Sequence, residues 1–130
     1  MNWPLVLRLS GFGLFMALAT VFIIPSTVEP MVWLPILLTV AGLIARYAPG
    51  KYFLHGLATS GMNCVWITSA HFIFYDTYAA GHADEIARSQ GLPLSPRLMM
   101  LIVGPIVGLI SGCILGLFAF IASKLIKPAV

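Results

Sequence analysis

Three histidines, two cysteines and four carboxylates are the side chains of this chain best suited to holding a metal or moving a proton. His71, Asp76 and His82 follow one another closely, with Asp84 and Glu85 just beyond. Imidazole and carboxylate together are transition-metal ligands. Their spacing is irregular and fits no metal motif, so no metal site is expected; these three are the residues an ion would use. The reading preferred for His71 is a neutral imidazole that hydrogen-bonds a hydroxyl or carbonyl of a neighbouring helix. His55 lies about 24 Å from His71 if both stand on one helix, too far for the two to ligate one haem. Cys64 and Cys113 sit in apolar stretches without a CxxC pair and read as packing residues. The chain has no HExxH, no GxSxG and no P-loop, so neither an enzyme nor a cofactor is expected.

A second constellation is polar but not titratable. Projected at 100° per residue from Ser60, the residues Gly56, Asn63, Cys64, Thr68, His71 and Tyr75 fall within about 80° on one helix face, with Asp76 at its watery end. Gly56, Ser60 and Cys64 repeat every fourth position. So do Gly104, Gly108, Gly112 and Gly116 further on, forming a smooth groove along which another backbone can approach closely. The preferred pairing sets the two small-residue faces against each other within one chain; packing between copies is the alternative. The polar face is then glue between helices, and the sharper reading makes Asn63, Thr68, His71, Tyr75 and Asp76 the lining of a pathway or ligand site. No uncharged run contains a carboxylate, which removes the usual proton or cation relay.

The elements that must carry these residues follow from composition. The chain is 60% hydrophobic and 8% charged, against about 25% charged in soluble domains. A soluble globular protein is excluded. Uncharged runs cover Leu9 to Val28, Pro30 to Ala45, Tyr52 to Tyr75 and Leu98 to Ser123. They predict an all-α integral membrane protein: a four-transmembrane-helix bundle forming one domain over 1–130, with helices at about 5–25, 28–48, 51–76 and 96–124. Pro25 ends the first helix. Ser26 with Glu29 resembles a capping box opening the second, with Pro30 in its first turn. Ala48-Pro49-Gly50-Lys51 makes a tight turn, predicting a hairpin of helices two and three. Ser95-Pro96 starts the fourth. The segment 77–95 reads as a solvated outer connector, with a short helix over 82–90 carrying an Asp84–Arg88 pair. Ala17-Leu18-Ala19 looks like a cleavage pattern, but Thr20 to Ile24 continue the apolar run, which predicts an uncleaved first helix.

Arg8, Arg46, Lys51, Lys124 and Lys127 share one side of such a bundle, and only Arg88 and Arg97 the other. That bias predicts both termini inside, and helical spans with no organelle address predict a cell inner (plasma) membrane. Scattered basic residues do not favour nucleic acid as a partner. The expected partners are the lipid bilayer and either a second copy or a larger membrane complex. Three functions are consistent with this reading. A structural or accessory role is preferred; an oligomeric channel or transporter for a small or neutral solute would use the polar face of helix three; a metal- or cofactor-binding component would use His71 and the outer acidic loop.

Overall fold

Asn2 opens the first helix by accepting the Leu5 N–H on its carboxamide oxygen at 3.2 Å, and Pro4 fills the first turn where its missing N–H is not needed. In the computed structural model, which describes residues 1–129, the apolar stretch expected as one helix at about 5–25 is divided into α1 (Trp3–Leu9) and α2 (Gly11–Phe22). Ser10 is the joint. Its hydroxyl donates to the Leu7 carbonyl at 2.8 Å and accepts the Trp66 indole N–H at 3.2 Å. A serine followed by glycine is a common place for a helix to bend.

The second expected helix is α3 (Glu29–Tyr47). Its predicted capping box is not formed: Val28 is the N-cap and no side chain caps it. The Glu29 carboxylate instead accepts the Trp33 indole N–H at 3.1 Å, one turn along. The turn to α4 (Tyr52–Ile73) does require unusual backbone, with φ of 103° at Gly50 and 51° at Lys51. Helix α4 stops earlier than the expected 51–76, because the chain bends at Phe74 and continues as α5 (Tyr75–Gly81) and α6 (Ala83–Ser89). The segment 77–95 is thus helical for most of its length and not a fully solvated connector: Tyr78 and His82 are buried. Asp84 and Arg88 are exposed on α6. Gly91, with φ of 92°, breaks the chain before Ser95 accepts the Leu98 N–H and opens α7 (Pro96–Leu125). No strand occurs among the described residues.

Three helical stretches are long and apolar enough to cross a membrane: Trp3–Phe22, Glu29–Tyr47 and Pro96–Leu125. This marks the chain as an all-helical membrane protein. Helix α4 has the length, about 33 Å for 22 residues, but its histidines, asparagine and hydroxyls set it apart from those three. It occupies the centre of the molecule and touches α1, α2, α3, α5 and α7. The expected α3–α4 hairpin is loose, since α3 lies mainly on α7. The reason is a core in which Leu9, Val40, Ala41, Ile44, Leu115 and Ala119 close together. A second core joins Ala17 and Val21 of α2 to Ala70 and Tyr78.

Candidate functional site

The polar residues of α4 divide between two faces, where the helical projection had grouped them on one. Gly56, Ser60, Cys64 and Thr68 look toward α7. A methyl group on Gly56 would come within 2.6 Å of the Gly116 backbone, and one on Gly108 within 2.6 Å of the Cys64 Cβ. Gly112 lies against Leu57 and Ser60, Gly104 against the Thr68 hydroxyl, and Gly116 against the Phe53 carbonyl. The Ser60 hydroxyl donates to the Gly108 carbonyl at 3.0 Å. Glycine is required along this seam because backbone and side-chain atoms of α4 occupy the volume a Cβ would take.

The other face, directed at α1 and α2, carries His55, Thr59, Asn63 and His71, all buried. His55 Nδ1 lies 3.0 Å from the Lys51 carbonyl, which can only accept, so the ring proton is on Nδ1. Nε2 is then free to accept the Asn2 N–H at 2.9 Å. Asn63 fills the gap left by Gly13 of α2. Its Oδ1 and the Thr59 hydroxyl are buried without a hydrogen-bond partner.

At the end of the molecule that carries α5 and α6 three rings stack. His71 lies on Tyr78 with centroids 4.1 Å apart and 25° between planes, and Tyr78 lies on His82 at 4.0 Å and 13°. His71 Nε2 is 2.8 Å from the Thr20 hydroxyl, which is also 2.8 Å from the Met16 carbonyl. A hydroxyl has one proton; if it goes to Met16, His71 must donate from Nε2. His82 Nδ1 donates to the Tyr78 carbonyl at 2.9 Å, leaving Nε2 as a bare acceptor, buried and unpartnered. The Tyr78 hydroxyl donates to Glu85 Oε2 at 2.7 Å. Burial, then the Glu85 carboxylate, push the Tyr78 hydroxyl well above the usual tyrosine range.

This cluster overlaps only partly with the residues the sequence singled out. His71 and His82 are together, while Asp76 is exposed, Tyr75 is beside Arg97 and Thr68 is on the α7 side. No three histidine, cysteine, aspartate or glutamate side chains among the described residues come close enough to share an ion. Thr20 and Tyr78 were not singled out, and Glu85 only as a carboxylate beside His82. Their signal is the spacing His71, Tyr78, His82, Glu85, which keeps one helical face in phase through the bends at Phe74 and His82. Comparison with family models, with curated proteins and with solved structures finds no match to this chain.

Proposed function

We propose that the protein is a four-span inner-membrane protein with a structural or accessory role, in which α4 is the fourth crossing. The observation that carries this reading is how α4's polar groups are used. Its small face seats α7, and its polar face bonds α1 and α2 through His55–Asn2, Trp66–Ser10 and His71–Thr20. Such side chains hold helices together where lipid offers no hydrogen bonds. A polar helix crosses a bilayer when apolar helices surround it, and α4 has α1–α2 on one flank and α7 on the other. Same-side termini are supported by two contacts at one end of the molecule: Asn2 N–H to His55 Nε2, and Ala129 N–H to the Arg46 carbonyl at 2.8 Å. The protein is not an enzyme on this reading.

The unpartnered Thr59 and Asn63 oxygens favour one second reading, a path for a small neutral solute between α2 and α4. Reconstitution into vesicles separates the two. An accessory protein leaves permeability to water and small neutral solutes unchanged. Flux above empty vesicles that Thr59→Val reduces would replace the first reading by the second.

A further inference from the structure

Between α2 and α3, which pack on different partners, an open groove of about 580 Å³ is lined by Arg8, Gly11, Phe12, Phe15, Val32, Pro35 and Ile36. Six of the seven lining residues are apolar or glycine, and the seventh carries a full positive charge. Arg8 stands about 8 Å inside the start of the Trp3–Phe22 stretch. All four carboxylates of the chain belong elsewhere: Glu29 begins α3 at the opposite end of the molecule, and Asp76, Asp84 and Glu85 lie on α5 and α6. Arg8 is exposed at the rim of this apolar groove with no carboxylate near it, which makes that end of the groove complementary to an anion.

We propose that this groove binds one anionic phospholipid, its phosphate on the Arg8 guanidinium and an acyl chain lying between α2 and α3. Guanidinium binds phosphate oxygens in pairs, which fixes the headgroup at the Arg8 end. The groove runs from there toward Val32, near the beginning of α3, so a chain in it points from the leaflet of the N-terminus toward the bilayer interior, as a lipid tail does. Phe15, 62% exposed, and Pro35 and Gly11, also exposed, offer the apolar wall. Charge complementarity selects the anionic lipid over a zwitterionic one with the same tails. An apolar helix of another protein would gain nothing from Arg8.

The test is native mass spectrometry of the whole chain in detergent with added dioleoyl phosphatidylglycerol or dioleoyl phosphatidylcholine. The expected result is one retained phosphatidylglycerol per chain, preferred over phosphatidylcholine. Arg8→Gln should weaken its retention about tenfold, with Arg8→Lys between the two. Gly11→Phe should block both lipids; a Cβ there meets nothing within 4 Å, and an unchanged melting temperature in the same detergent shows that the fold is kept. Gly61→Phe, equally open but in the smaller, uncharged α4–α7 depression, is the matched control and should leave phosphatidylglycerol retention unchanged. Equal retention of the two lipids by the unmodified chain, or phosphatidylglycerol retention untouched by both Arg8→Gln and Gly11→Phe, overturns the proposal. So does a dimer mass that is independent of lipid and lost in Gly11→Phe, which would give the groove to a second copy.

Discussion

Thr59 is fully buried and its hydroxyl has no partner, a state that costs about 1–3 kcal/mol when nothing compensates. Thr59→Val keeps the branched shape and removes the unpaired group, so thermal unfolding in detergent should show a gain of about 1 kcal/mol; a loss would mean that the hydroxyl is bonded in the membrane. Thr20 and His71 make the opposite case. Their contact spans α2 and α4, and a double-mutant cycle with Thr20→Val and His71→Phe should return a coupling of about 1 kcal/mol, His71→Phe keeping a ring on Tyr78. Tyr78 adds a pH dependence. Its hydroxyl is raised above the ordinary value of 10.0, so the folded state holds that proton more tightly than the unfolded chain. The contribution is complete below pH 10 and is lost as pH rises beyond it. Stability should therefore fall on the alkaline side, and Tyr78→Phe should flatten that slope. His71 was legible as the residue of interest because an intramembrane histidine is rare. Its partners were not, because Thr20 reaches it only through packing of α2 on α4, which no local spacing records.

At the scale of elements, the α4–α7 seam differs from site to site in what a side chain would meet. On Gly116 a Cβ would come within 2.7 Å of the Phe53 carbonyl, and on Gly56 within 2.6 Å of the α7 backbone, neither of which can swing aside. On Gly112 the nearest atom is the end of the Leu57 side chain, which can. Gly116→Ala and Gly56→Ala should each cost about 1–3 kcal/mol, and Gly112→Ala less. Leu109 is 59% exposed beside the seam, and Leu109→Ala should stay within about 0.5 kcal/mol. Gly61→Ala, in open space inside α4, should stabilise by up to about 1 kcal/mol. Melting temperatures of the five variants in one detergent check the order, and equal losses for Gly116→Ala and Gly61→Ala would place the seam on the wrong face. The four-residue glycine repeat made this face visible in the sequence, since helix geometry alone puts residues four apart on one face. The bends at Ser10 and Phe74 were hidden: an uncharged run looks the same whether its helix is straight or broken, and here tertiary partners such as Trp66 set the break.

For the whole molecule, orientation rests on charge and on which segments share an end. Arg8, Arg46, Lys51, Lys124 and Lys127 gather with the two termini and the α3–α4 turn, a grouping tied by the Asn2–His55 and Arg46–Ala129 bonds. Arg88 and Arg97 lie at the other end, where the Arg97 guanidinium is fixed on the Phe72 ring at 4.7 Å and its Nε donates to the Phe72 carbonyl. Positive residues near span ends are retained on the cytoplasmic side, so α5 and α6 are predicted outside and residue 127 inside. The prediction also requires α4 to cross, because with three crossings the termini would fall on opposite sides. Ala87→Cys on the exposed face of α6 and Lys127→Cys near the C-terminus report the two sides in intact cells. A membrane-impermeant thiol reagent should label Ala87→Cys from outside and leave Lys127→Cys untouched until the cells are opened, with the unmodified chain, carrying Cys64 and Cys113, as background. Because α7 alone separates these two positions, labelling of both from outside would remove α7 from the crossings, and a third variant, Pro49→Cys in the exposed α3–α4 turn, tests α4. Labelling of Pro49→Cys and Ala87→Cys from the same side would remove α4, while outside labelling of Pro49→Cys and Lys127→Cys but not Ala87→Cys would invert the protein and move the Arg8 end to the outer leaflet.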